Sequence, residues 1–415
     1  MIEPPRAEYS ESELPLNITA GDHSAQRHPF VVQNAKGLEL KCHIYLPSSV
    51  RAAPSQTRRQ SKFKKGLNSL FSFFSLGPNN PCKPELPDNP TQSTQQLPTS
   101  SLIFDQESPQ IPASSSQNCI IYCHSQGSCC TEGLFLLEAC VESNICLCVF
   151  DFAGSGKSSG EFVSLGIFER LDIEKVVEHI QSNYKINKVS LWGRSMGAVA
   201  AFLFTYNQGR KVSSIVLDSP YVDLSEVVAV SAKKKLSFGS IISPFAKMVL
   251  SNQIEKRLGV DIFSLNIPSL AQQMQTPVCL IGSPNDETIP PNQFNILFNS
   301  LRSSNKIYLQ SAKKHAEPRE LEISSDAFTF IVSNTQGTTP SPSALASLAP
   351  KTFAKIRTWI DATPDASAVQ SLKIIEKEKN VKIGSSKLQP LSARKVSDNS
   401  DIERWQKLLN VENKK

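Results

Sequence analysis

Apolar and polar positions follow two distinct periodicities along the chain. Phe30-Val31-Val32 and the alternating run Leu38-Glu39-Leu40-Lys41-Cys42-His43-Ile44-Tyr45-Leu46 flank Asn34-Ala35-Lys36-Gly37, which predicts a hairpin over residues 30–46. From residue 118 onward, short runs with almost no polar position alternate with segments of helical spacing. Residues 119–123, 146–150, 189–192, 214–217, 278–281 and 307–309 read as strands. Ile173, Val176, Val177 and Ile180 fall on one helix face, and Phe294, Leu297, Phe298 and Leu301 on another. Strands apolar on both sides and separated by helices predict an α/β fold, with a mostly parallel central sheet and helices on both faces. Residues 30–46 and 118–332 together have the size of one such domain.

The remaining segments lack this pattern. Residues 1–29 are polar and irregular, and a flexible tail is expected there. Residues 47–117 are rich in Pro, Ser, Gln and Asn, a composition that cannot bury enough apolar area to offset its ordering entropy, so a disordered insertion is expected. About residues 220–276 separate two strands without a strong strand of their own, and a small helical lid over the carboxyl edge of the sheet is expected. Residues 333–415 read as a linker and a helical tail, with Phe353, Ile356, Trp359 and Ile360, then Ile402, Trp405, Leu408 and Leu409, at helical spacing.

Charge alters the picture in one place. The formal net charge is +6, and Arg51, Arg58, Arg59, Lys62, Lys64 and Lys65 alone account for that excess. Beside them Phe63, Leu67, Leu70, Phe71 and Phe74 share a helical face, so residues 58–76 are expected to make peripheral contact with anionic membrane. No nucleic-acid partner is expected. No apolar run approaches the roughly 20 residues of a spanning helix, and Met1-Ile2-Glu3-Pro4-Pro5 lacks the features of a signal peptide, so the expected setting is cytoplasmic. Cys119, Cys123, Cys129, Cys130, Cys140, Cys146 and Cys148 crowd one region without a Cys-x-x-Cys pair; they read as reduced core thiols, not metal ligands.

Candidate chemistry begins at Gly193-Arg194-Ser195-Met196-Gly197, between the strand-like Val189-Ser190-Leu191-Trp192 and the helical run Ala198-Val199-Ala200-Ala201-Phe202. A strand turning sharply into a helix presents the serine hydroxyl, and the flanking glycines let the two elements approach: the form of a nucleophile elbow. A serine hydroxyl needs a base and an orienting carboxylate, and in a parallel sheet these are sought in loops after strands. Asp286 follows 278–281 and His315 follows 306–310, with Asp218 as the alternative acid. The other histidines fit poorly: His23 and His28 precede the domain, His43 is in the hairpin, His179 is on a helix side, and His124 reads as a brace. The order Ser195, Asp286, His315 is that of α/β-hydrolases. Oxyanion donors are expected from the backbone amides of Met196 and Gln126.

His124-Ser125-Gln126-Gly127, Asp151-Phe152-Ala153-Gly154-Ser155-Gly156-Lys157-Ser158-Ser159-Gly160, Trp192 to Gly197, Asp286-Glu287-Thr288-Ile289-Pro290 and His315 together resemble the α/β-hydrolase superfamily, in its serine-aminopeptidase-like and depalmitoylase-like branch. The resemblance implies a serine hydrolase acting on an ester, thioester or amide of a small molecule or acylated protein, with no metal and no organic cofactor. The chain departs from that branch at Ser125, where glycine is usual. If that position required a positive φ, the side chain would shift the Gln126 amide and weaken the oxyanion site, and a binding module without strong catalysis is the alternative reading. Gly154-Ser155-Gly156-Lys157-Ser158 imitates a phosphate-binding loop, but Asp151 occupies the position of its first glycine.

Overall fold

A computed structural model of the protein describes residues 4–49, 117–208, 211–235 and 262–349. Among the described residues, nine strands form one sheet in the order β1-β2-β3-β5-β4-β6-β7-β8-β9. They are β1 (Asn17–Ala20), β2 (His23–Gln33), β3 (Glu39–Ser49), β4 (Gln117–Cys123), β5 (Cys146–Phe150), β6 (Ile186–Arg194), β7 (Val212–Asp218), β8 (Val278–Gly282) and β9 (Lys306–Gln310). β1, β2 and β3 pair antiparallel, and β3 is antiparallel to β5; every later pairing is parallel. This is the expected mostly parallel sheet.

Its two faces carry separate cores, because successive side chains of a strand point to opposite sides. Cys119, Ile121 and Cys123 of β4 join one core with Ile173, Val176 and Ile180 of α2 (Glu169–Tyr184) and with α3 (Met196–Gln208). Ile120 and Tyr122 join the other with α1 (Leu137–Glu142). Cys146 and Cys148 follow the first pattern, Leu147 and Val149 the second. Nine of the cysteines are buried free thiols among the described residues, and burial pushes those of Cys42, Cys119 and Cys123 well above the ordinary thiol value.

Two segments differ from expectation. The amino-terminal tail expected up to residue 29 contains β1 and most of β2, and ahead of them Tyr9 and Leu14 are buried in the second core. β2 pairs with β3 along its whole length but buries only Ala25, in the second core, and Phe30 and Val32, in the first. Its polar positions therefore disguised it as irregular chain. The linker expected from residue 333 is likewise structured at its start. Beyond α4 (Leu224–Lys235), α5 (Ile267–Ala271) and α6 (Asn292–Ser300), α7 (Leu321–Gln336) runs through 333 and α8 (Pro342–Ala346) follows. Ser341 caps α8 by accepting from the Ala344 amide, and Pro342 stands at its start, where a missing N–H costs nothing.

The expected lid is only partly covered. Leu224, Val227, Ile267, Leu270 and Met274 at its flanks belong to the first core, and residues 236–261 lie outside the described residues. So do nearly all of the insertion, with its candidate membrane segment 58–76, and the tail helices around 353–360 and 402–409. Among the described residues, no helix is long and apolar enough to cross a membrane.

Candidate active site

Ser195 sits between the last residue of β6 and the first of α3, with φ +52°, a left-handed conformation that costs a residue with a side chain roughly 1–2 kcal/mol. The surroundings hold it there. Its amide donates to the Asp218 carbonyl at 2.8 Å, and its carbonyl accepts from Ala198 and Val199 at 3.0 and 3.1 Å. A Cβ at Gly193 would lie 2.4 Å from the Gly197 carbonyl oxygen, so only glycine lets β6 and α3 come this close.

The turn brings the serine hydroxyl to a histidine. His315 Nε2 is 3.1 Å from Ser195 Oγ, and His315 Nδ1 is 2.8 Å from Asp286 Oδ2. The other carboxylate oxygen of Asp286 accepts from the amides of Thr288 and Ile289 at 2.9 and 2.8 Å. Burial alone would raise the Asp286 carboxyl, but the His315 hydrogen bond and charge and those two amides hold it below its ordinary value. An ionised carboxylate there fixes the imidazole with Nδ1 protonated and Nε2 free to accept. Asp218, the alternative acid, is engaged elsewhere: both its oxygens receive Arg319, with contacts of 2.7–3.1 Å.

The loop after β4 faces the start of α3. A Cβ at Gly197 would lie 2.0 Å from the Cys123 carbonyl oxygen, which puts the first turn of the helix directly against the end of the strand. The Ser128 amide closes a turn onto the Ser125 carbonyl at 3.2 Å, and Gly127, at its third position, has φ +75°, as a type II turn requires. Gln126 is the corner of that turn; its side-chain Nε2 is buried without a protein partner. Met196 opens α3, where the first amides have no acceptor within the helix. Ser125 lies outside the left-handed region, so its side chain imposes no backbone strain. His124 braces the loop: Nδ1 donates to the Ser125 carbonyl at 2.8 Å, and Nε2 accepts the Phe152 amide at 3.0 Å.

The glycine-rich loop after β5 is organised around the Asp151 side chain. That carboxylate accepts from the Cys130 and Lys157 amides and the Tyr9 hydroxyl at 2.7–2.8 Å, and a Cβ at Gly156 would collide with it. Arg6 donates to the carbonyls of Gly156, Ser158 and Gly160. Burial, then the Asp151 charge, pushes the Tyr9 phenol far above its ordinary value, so it stays a neutral donor. With its inner side filled by a carboxylate and its carbonyls turned to Arg6, the loop is unsuited to phosphate.

The sequence pointed to Asp218 only as an alternative acid and not to the buried charged group it belongs to. Glu132, Arg194, Asp218 and Arg319 are all buried. Arg194 lies 3.8 Å from both Glu132 and Asp218, and its Nη2 donates to the carbonyls of His315 and Glu317 at 2.5 and 2.7 Å. The Ser125 amide and hydroxyl both donate to Glu132, at 2.8 and 3.0 Å. Burial would raise the Asp218 carboxyl, but Arg319 and Arg194 hold it below its ordinary value. The available signal was an arginine inside an otherwise apolar elbow, a position that demands a buried partner.

Residues 114–266 match the family described as "Serine aminopeptidase, S33". The chain is similar to the uncharacterized protein YqkD of Bacillus subtilis, with 24% identity over 206 residues, 48% of this chain and 65% of the relative. It is also similar to protein bem46 of Schizosaccharomyces pombe, with 22% identity over 210 residues, 50% of this chain and 62% of the relative. The chain thus spans less than two thirds of the length of these curated relatives. Among solved structures it is similar to the Pyrococcus furiosus esterase Pf2001 (TM-score 0.46, 14% identity, 76% of this chain and 91% of that one). A monoacylglycerol lipase from Paleococcus ferrophilus gives a TM-score of 0.41 with 18% identity, over 53% of this chain and 97% of that one.

Proposed function

Since this chain belongs to the α/β-hydrolase superfamily, we propose that it is a serine hydrolase acting on acyl esters or thioesters, with amides as a slower class. The observation that carries this reading is the hydrogen-bonded line Ser195–His315–Asp286, with Ser195 held at positive φ at a strand-to-helix turn. His315 Nε2 accepts the hydroxyl proton as Ser195 Oγ attacks the acyl carbonyl, and Asp286 stabilises the imidazolium that forms. The Met196 and Gln126 amides receive the oxyanion of the tetrahedral intermediate. Collapse expels the alkoxide or thiolate, which takes its proton from His315, and leaves an acyl-enzyme on Ser195. Water, deprotonated by His315, then releases the carboxylic acid. Every proton taken is returned, and the chemistry calls for no metal or organic cofactor.

The acyl group comes from a small molecule or an acylated protein, and its choice is assigned to residues around 220–276. A fluorophosphonate probe is expected to label wild type and not Ser195→Ala. A well-folded wild type that resists labelling would overturn the enzymatic reading in favour of a binding module. Graded p-nitrophenyl esters then report acyl length, and a maximum at acetate would count against long-chain acyl substrates.

A further inference from the structure

We propose that Glu132 is a positioning residue for catalysis, clamping the oxyanion loop to the nucleophile elbow and the histidine loop through Ser125 and Arg194. The inference rests on the serine-hydrolase reading of Ser195. Glu132 stands on the short helical turn that follows the oxyanion loop, and this turn is anchored where the Cys130 amide meets Asp151. One oxygen of its carboxylate takes the Ser125 amide and both approach the Ser125 hydroxyl, at 3.0 and 3.2 Å. On its other side lies Arg194, the residue before the nucleophile, whose guanidinium holds the His315 carbonyl. One buried carboxylate therefore links the residue before Gln126, the residue before Ser195 and the backbone of His315. Two arginines face two carboxylates across Glu132, Arg194, Asp218 and Arg319, so the cluster is balanced in charge and none can be removed without leaving a buried ion short of a partner.

This arrangement also gives Ser125 a purpose. Its hydroxyl is a second tether to the carboxylate that already takes its amide, and it fixes the amide that follows it. Oxyanion stabilisation depends steeply on where its donors stand. Loosening this tether is expected to act on kcat, because the loop's bond to charge develops in the transition state and not in the bound ester.

The test measures kcat and KM, on the p-nitrophenyl ester that wild type hydrolyses fastest, for Glu132→Gln, Glu132→Ala, Ser125→Ala and the Ser125→Ala/Glu132→Ala double variant, with thermal melts alongside. Glu132→Ala is expected to lower kcat by roughly 30- to 100-fold with KM within about threefold, less than or equal to the loss of one oxyanion donor. Glu132→Gln, which keeps an acceptor for Ser125, is expected to recover much of that loss. Ser125→Ala is expected to cost about 3- to 5-fold in wild type and nothing further once Glu132 is alanine, the signature of a shared interaction. Should Glu132→Ala fail to fold, the kcat loss of Ser125→Ala decides. Folded variants with wild-type kcat, losses confined to KM, or fully additive losses would each overturn the inference while the catalytic reading stands. A wild type that neither hydrolyses esters nor labels at Ser195 would overturn both.

Discussion

Gly197 shows how little room separates the two halves of the site. A Cβ there would meet the carbonyl oxygens of Cys123 and His124 at 2.0 and 2.6 Å, and both belong to backbone that cannot swing aside as a side chain could. Gly197→Ala must part the end of β4 from the start of α3, and with them the Gln126 and Met196 amides. We expect a loss of about 1–3 kcal/mol in stability, typical of overpacking, and fluorophosphonate labelling at least tenfold slower. Labelling and melting temperature both equal to wild type would show that the two backbones are not held this close. At this scale Ser195, Asp286 and His315, which the structure brings within hydrogen-bond reach of one another, were legible as candidates, because a proposed acyl-transfer chemistry restricts residue types and the fold restricts where they stand along the chain. Glu132 and Arg319 were not, because nothing in the residues beside them distinguishes a buried ion pair from a solvated charge.

At the scale of elements, the site depends on loops being tied to their neighbours, and one tie carries a titratable group. Asp172 of α2 accepts the Asn34 side-chain amide from the β2–β3 turn at 2.8 Å and the Ala153 backbone amide from the glycine-rich loop at 2.9 Å. Burial, only partly offset by those two donors, pushes its carboxyl up to about 7. An unfolded aspartate titrates near 3.9, so between these values the native state holds a proton that the unfolded chain has released. The stability due to this group is therefore intact below about pH 4 and lost as pH rises towards 7. Chemical denaturation from pH 4 to 8 is expected to show stability falling by up to about 1.4 kcal/mol per pH unit in this window, and Asp172→Asn is expected to flatten that slope. A slope unchanged in the variant would place the pH dependence elsewhere. The strands and helices themselves were readable where they are apolar on two faces, as with β5, or have a clear helical stripe, as with α2. β2 was missed over its first half, since residues 23–28 bury only Ala25 and are held in the sheet by backbone pairing with β3.

For the whole molecule, the correction that matters most is at the amino terminus. Leu14 is 2% exposed and joins the second core, behind the sheet face lined by Tyr45, Ile120 and Leu147. Leu14→Ala should cost about 2–4 kcal/mol, as for a leucine removed from a packed interior. A residue in a flexible tail would cost less than about 0.5 kcal/mol, and denaturant unfolding separates the two outcomes. The sequence by itself determined the alternation of strands and helices, the class of the sheet and the residue types waiting in its loops. These are written in local periodicity and in turn chemistry, which neighbours along the chain reveal. Only the tertiary structure decided that residues 4–20 belong to the domain, that Asp218 takes Arg319 while Asp286 takes His315, and that Glu132 reaches Ser125 and Arg194. Those choices join residues up to about 150 positions apart, as when Arg6 closes on the carbonyls of the glycine-rich loop. Such contacts follow from strand order and from the demand that every buried charge find a partner, and neither leaves a periodic mark on the chain.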